Sequence, residues 1–294
     1  MNPSGFARTA RFVDINTILI SAAKAMEENE SNRTKGGPVI LDSKQRFSDR
    51  VEDYLLYRPG YPAEIGVMLA KEHGLNSSSV VADLGSGTGL LAELFLDCGC
   101  KVVGVEPNGA MRDAGDRRLT RFERFRSVEG SAEATGLPDA CVDFAVAGQA
   151  YHWLNQARTA GEIRRILKPG GQVVLVWNDR RTTTTPFLVG YDEMRRRFAL
   201  DYKELNHRRM QPEAIRSALG VEELLLYTFD NTQILNKEAL AGRVRSSSYG
   251  PAPEHPQFEA MMSEVERLFE LYSFNGMVTI EYDTLVYVAA MEWE

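Results

Sequence analysis

Residues 80–96 read VVADLGSGTGLLAELFL. A short apolar run ends at an acid, Asp83. Gly85, Gly87 and Gly89 follow on alternate positions, and Leu90, Leu91, Leu94 and Phe95 then recur at helical spacing. Glycine weakens strands and helices alike, so three at one junction mark a backbone that turns sharply or is closely approached. Where a strand stops and a helix starts, the first helical N–H groups and the positive end of the helix dipole face the loop. In an open α/β sheet such a junction lies at the carboxyl edge of a strand, the usual ligand crevice.

The flanking chain supplies such a sheet. "KVVGVE" (101–106) reads as a second strand, followed by a helix over 108–118. "ERFRSVEG" holds a third, "CVDFAVAG" (141–148) a fourth, and "QVVLVWN" (172–178) a fifth. The helix "ARTAGEIRRIL" precedes the fifth and is stopped by Lys168-Pro169-Gly170-Gly171. This alternation predicts an α/β fold with a mostly parallel, doubly wound sheet. Further on, "PFLVGYDEMRRRFALDY" is helical and "VEELLLYTFD" is a sixth strand. Residues 237–272 are helical around "SSSYGPAPEHP", and "MVTIEYDTLVYVAAM" alternates as a last strand. The organisation expected is one domain over about 41–294, with helical inserts near 186–218 and 236–273. Before it, 1–40 reads as a tail with a short amphipathic helix over 15–26 and a polar connector, "EENESNRTKGGP". "YRPGYP" (57–62) separates two helical pieces, since proline disfavours helix in the residue before it.

Composition narrows the function. Of 294 residues 44% are hydrophobic, enough for a full core, and the net charge is −7, which speaks against a general nucleic-acid binder. The three cysteines, an odd number, predict free thiols and a reducing compartment, so a cytoplasmic protein is expected. The four histidines are scattered without metal-ligand spacing, so no metal is expected. No apolar run reaches the roughly 18 residues of a membrane span.

A dinucleotide fingerprint reads G-x-G-x-x-G. Here the third glycine comes one residue early and Asp83 stands two before the first. The stretch resembles motif I of the class I S-adenosylmethionine-dependent methyltransferases, D/E-x-G-x-G-x-G. That resemblance implies a Rossmann-like seven-stranded sheet whose last strand is antiparallel, and S-adenosylmethionine as cofactor. It implies that Asp83, Gly85, Ser86, Gly87 and Gly89 form the cofactor loop. Glu106, ending the second strand, would accept hydrogen bonds from the ribose, with Pro107 and Met111 beside the adenine. "GSAEATGLP" resembles the segment that borders the adenine through Ser131 and Ala132, although Thr135-Gly136 is inserted and Glu133 is less certain. Gln149, past the fourth strand, would face the methionine part.

Methyl transfer is an in-line displacement, so the protein mainly aligns the reactants. "QAYHWL" offers His152 as a base or substrate contact, with Tyr151 and Trp153 as pocket walls. "YRPGYP" and "QAYHWLN…WN" together resemble the trans-aconitate methyltransferase-like subgroup. That resemblance implies that Tyr54, Tyr57, Arg58 and Tyr61 line a closed site, and that 237–272 forms a lid over a small-molecule acceptor. A carboxylic acid acceptor would call for an arginine clamp, from Arg58, Arg180, Arg243 or Arg245. The expected protein is a monomer or homodimer. The alternatives are an S-adenosylmethionine-binding protein without catalysis and an NAD-dependent oxidoreductase. A base methyltransferase is disfavoured by the acidity and by the lack of an Asn-Pro-Pro-Tyr-type stretch after the fourth strand.

Overall fold

The computed structural model describes residues 51–200, 211–247 and 249–291. The expected tail, its helix and the polar connector lie outside the described residues. Helix α1 (Val51–Tyr57) ends where Pro59 and Pro62 break the chain, and α2 (Glu64–His73) follows, closed by Gly74 in the left-handed region. Then come β1 (Val80–Leu84), α3 (Leu90–Asp97), β2 (Lys101–Val105) and α4 (Gly109–Leu119). The side chain of Asn108 caps α4 by accepting the Met111 N–H at 3.1 Å. Strands β3 (Phe125–Val128) and β4 (Val142–Gly148) lead to a single 3-10 turn at Tyr151–Trp153 and to α5 (Gln156–Ile166), capped by Asn155. Strand β5 (Leu167–Arg180) is followed by α6 (Pro186–Phe198), α7 (Pro212–Leu219), β6 (Leu225–Leu235), α8 (Lys237–Arg245), α9 (Phe258–Tyr272) and β7 (Val278–Ala290).

The seven strands form one sheet in the order β3-β2-β1-β4-β5-β7-β6. The first five run parallel, and β7 is antiparallel to both β5 and β6, as expected from the resemblance. Two boundaries differ from the sequence reading. Leu167 already pairs with Val142, and the register slips before Gln172 meets Phe144, so Pro169-Gly170-Gly171 forms an irregularity inside β5. The sixth strand runs to Leu235 rather than stopping at Asp230, because β7 continues to pair with it out to Val278.

Side chains alternate between two cores. Ala82, Leu84, Val103, Val105, Ala145 and Leu175 pack on one face with Ile163 and Ile166 of α5 and Ile215 and Leu219 of α7. Val81, Val102, Phe144, Val146 and Val174 pack on the other with Ile65 and Leu69 of α2 and Leu91 and Phe95 of α3. A parallel sheet covered on both faces requires apolar residues on both sides of each strand, as in the central parts of β1, β2, β4 and β5, while the edge strand β3 keeps Arg126 and Ser127. A third cluster joins α6, α8 and α9 to Val278, Ile280 and Tyr282, where the β6–β7 pair extends past the other strands. Among the described residues no helix is long and apolar enough to cross a membrane.

Candidate active site

The carboxyl ends of β1, β2, β4 and β5 share one edge of the sheet. Past β1 the chain turns through residues 85–89, with Gly85, Gly87 and Gly89 at φ +68°, +55° and +78°, values that side chains other than glycine rarely adopt. Gly85 and Ser86 donate their N–H groups to the Val105 carbonyl at 2.9 and 3.2 Å, which ties the loop to β2. Each glycine also answers to a neighbour. A Cβ on Gly85 would lie 3.1 Å from the Ala150 Cβ, one on Gly87 3.4 Å from the Met111 Cε, and one on Gly89 2.5 Å from the Leu119 Cδ1. The loop is thus a strip of bare backbone between Ala150 and Met111, leading into α3.

Two carboxylates flank that strip. Glu106, buried at the end of β2, accepts the Gly87 N–H at 2.9 Å and the Asn108 N–H at 2.8 Å, one on each oxygen. These two bonds fix the carboxylate at the mouth of the loop. Asp83 lies in β1 between Gly104 and Val146 and is 1% exposed. Neither of its oxygens has a partner within hydrogen-bond range. Burial pushes its carboxyl up to about 7; the nearby Ala92 amide offsets part of this and the charge of Glu106 adds to it. A buried carboxylate with no more than the Ala92 amide nearby is the kind of group that a cationic group of a ligand satisfies.

The other expected cofactor contacts fall around this strip. Met111 is buried in α4 beside Leu55 of α1, and Pro107 precedes that helix. Ser131 and Ala134 exchange backbone hydrogen bonds, and Ala132 is enclosed in the first core cluster. Glu133 turns away and accepts the Asn155 N–H at 2.8 Å at the start of α5. The inserted Thr135 is anchored to Glu162 through both its amide and its hydroxyl, at 2.7 and 2.6 Å. Gln149 is a non-glycine residue at φ +57°, and its side chain donates to the Asn178 carbonyl at 3.2 Å. Such a conformation for a residue with a side chain is uncommon and recurs at functional sites.

The acceptor side needs corrections. Tyr151, expected as a pocket wall, is fully buried in the first core cluster, because the 3-10 turn carries it inward. Its hydroxyl has no partner, and burial pushes it up to about 12. His152 and Trp153 are half-buried, their rings 5.2 Å apart. The Trp177 Nε1–H donates to the His152 Nδ1 at 3.3 Å, which in the neutral ring leaves the proton on Nε2. Arg245, one of four clamp candidates, is instead held bidentately by Asp53 at 2.9 and 3.0 Å and latches α8 to α1.

The remaining candidates gather over the edge. Arg58 donates to the Ser246 carbonyl at 2.6 Å. The Tyr57 ring lies against Gly242, where a Cβ would come 2.1 Å from it, and the Tyr61 hydroxyl reaches the end of β4 at Gly148. The Gly60 carbonyl accepts from Asn178 and Asn231, each at 3.0 Å, so this segment crosses the sheet edge. The Tyr54 side chain is outside what is described. Arg180, the last residue of β5, pairs with Asp192 at 2.5 Å and sits over the Tyr191 ring. Arg195 and Tyr249 lie in the same neighbourhood and did not stand out in the sequence. Only the helical period of 186–198 hinted that Arg195 could lie near the face carrying Asp192. A polar cleft of about 270 Å³ lined by His73, Asn76, Lys168 and Gln172 opens at the opposite edge, away from these groups.

Residues 82–175 match the family model described as a methyltransferase domain. Over 135 residues the chain is 33% identical to an uncharacterised methyltransferase of Schizosaccharomyces pombe, a match covering 46% of this chain and 53% of that one. Over 139 residues it is 36% identical to an uncharacterised methyltransferase of Mycobacterium tuberculosis, covering 47% and 54%. The chain thus spans about half the length of these curated relatives. A methyltransferase-like protein of S. pombe is 25% identical over 250 residues, 84% of this chain and 95% of that one. A solved structure from Anaeromyxobacter dehalogenans, assigned as a type II methyltransferase, superposes with a TM-score of 0.56 at 20% identity, covering 80% of this chain and 98% of that one. That likeness carries the fold.

Proposed function

We propose that this chain, whose residues 82–175 match a methyltransferase domain, is an S-adenosylmethionine-dependent methyltransferase that acts on a small carboxylic acid, within the trans-aconitate methyltransferase-like subgroup. The observation that carries the reading is the pair of carboxylates beside bare backbone. Glu106 suits the ribose of either a nucleoside or a dinucleotide, but Asp83, buried at the head of the loop, would repel a pyrophosphate and suits the ammonium group of an amino-acid end. This weighs against a nicotinamide dinucleotide. The residues present therefore fit the cofactor: Glu106 takes the ribose hydroxyls, Gly85 to Gly89 bear on the nucleoside, Met111 and Ala132 border the base, and Asp83 and Gln149 serve the amino-acid end.

The cofactor supplies an electrophilic methyl on a sulfonium, which leaves as a neutral thioether. A carboxylate acceptor is already a nucleophile and needs no base. This agrees with His152, whose Nδ1 lone pair is taken by Trp177 and so cannot serve as a base. His152 accordingly orients the acceptor, and Tyr57, Arg58, Tyr61, Trp153 and Arg180 hold it at the carboxyl edge. The free cysteines agree with a cytoplasmic protein.

Calorimetry with S-adenosylhomocysteine, followed by methyl transfer to a panel of mono-, di- and tricarboxylates, tests the reading. Binding with turnover on one of these acids is expected. Binding without turnover on any acceptor would leave a cofactor-binding protein, and NADH binding in place of S-adenosylhomocysteine would overturn the assignment.

A further inference from the structure

Above β5, three guanidinium groups share a space with one carboxylate. Arg180 is 10% exposed and paired to Asp192, whose second oxygen is taken by Arg196 at 2.7 Å. Arg195, at the end of α6, lies with its guanidinium 5.5 Å from the Tyr249 ring centre. Arg243 of α8 lies beside the phenols of Tyr191, Tyr249 and Tyr282. Among the described residues neither Arg195 nor Arg243 makes an ion pair. The Nε–H groups of Arg180 and Arg243 are buried and hydrogen-bond to nothing. Buried cationic donors without acceptors are costly, and cations this close repel one another unless an anion lies between them.

Tyr249 reports the resulting field. Its burial alone would raise the phenol, yet Arg195, Arg58, Arg243 and Arg180 together bring it below its ordinary value. A field that favours a phenolate favours an oxyanion. Arg195, Arg243, Tyr191, Ser247 and Tyr249, with the apolar Met194, Phe198 and Met261, line a void of about 20 Å³, room for roughly one oxygen-sized group. Arg180 stands outside that lining, where burial and the charges of Arg195 and Arg243 push its guanidinium down to about 10. The cluster therefore grips the tip of a ligand rather than enclosing it. It stands two residues beyond Asn178, whose carbonyl binds Gln149, so it adjoins the carboxyl edge where the glycine loop lies.

We infer that Arg180, Arg195 and Arg243, closed by Tyr249, form a subsite for a doubly charged oxyanion, and that the acceptor carries one: two neighbouring carboxylates or a phosphate monoester. Arg180 and Arg196 share the carboxylate of Asp192, whereas Arg195 and Arg243 have no ion pair among the described residues, so two guanidinium charges are left to be met by the ligand. Only the identity of this ligand as the acceptor rests on the methyltransferase reading; the anion site itself does not.

Calorimetry on the full chain at constant ionic strength separates the two. Succinate, inorganic phosphate and acetate are titrated in turn, and S-adenosylhomocysteine is titrated into the same preparation. At least one dianion is expected to bind tenfold or more tighter than acetate, and which of the two binds identifies the source of the charge. Arg195→Gln and Arg243→Gln should each weaken that dianion at least tenfold while S-adenosylhomocysteine binding stays within twofold. Arg195→Lys, which keeps charge and fold but loses the planar fork, should weaken it several-fold. No dianion binding by the wild-type chain, or an unchanged affinity in folded Arg195→Gln, would overturn the inference. Dianion binding without S-adenosylhomocysteine binding would uphold the subsite and overturn the methyltransferase reading instead.

Discussion

Asp83 illustrates how one residue can be placed against its own stability. Its carboxyl stands at about 7 in the fold against 3.8 when unfolded. Below the unfolded value both states hold the proton and nothing is lost. Between the two values the native state keeps a proton that the unfolded chain has released, so stability falls as pH rises, and above about 7 the loss is complete. Three units correspond to about 4 kcal/mol. Asp83→Asn should therefore melt well above the wild type at pH 8, with the gain shrinking towards zero near pH 4, as followed by thermal unfolding across that range. An equal gain at both pH values would mean that the charge of Asp83 is not what costs. The same substitution should weaken S-adenosylhomocysteine at least tenfold at pH 8, since the stored cost is what its ammonium group would relieve.

Among the helices, α1 and α8 are closely joined. They lie far apart in the sequence, yet Asp53 holds Arg245 and the Tyr57 ring occupies the space where Gly242 has no side chain. Gly242→Ala would place a Cβ 2.1 Å from ring carbons, and a helix cannot shift by that much without parting from its neighbour. The expected cost is about 1–3 kcal/mol in thermal unfolding. Tyr57→Ala in the same chain should recover part of it, so that the double variant loses less than the two single losses added. Strict additivity would show that the two helices do not meet as described. Helix α6 is the counterpart on the far side: Thr185 caps it, accepting the Leu188 N–H, and it carries Asp192 and Arg195 towards Arg180.

For the molecule as a whole, a cofactor that binds only the folded chain must raise its melting point. At a hundredfold excess over Kd the gain is about 2.7 kcal/mol, or about 4–5 °C for a chain of this size. S-adenosylhomocysteine should produce that shift and NADH should not; the converse would point to an oxidoreductase. Much of this molecule was legible in the sequence where the cause is local. The glycines needed positive φ, the strands needed apolar residues on both faces, and Asp83 and Glu106 sit within reach of the loop by simple spacing. The arginine cluster was not, because Arg180, Arg195, Arg243 and Tyr249 are brought together only when β5, α6 and α8 pack. Tyr151 misled for a related reason, since an aromatic beside a histidine says nothing of which way a turn will point it. The strap from Tyr57 to Tyr61 has one more consequence. It lies across the sheet edge and is pinned to β5 and β6 through the Gly60 carbonyl, while the helix before it is latched by Arg245. Anything lodged beneath must wait for those bonds to part, so a ligand at this edge leaves no faster than the strap lifts.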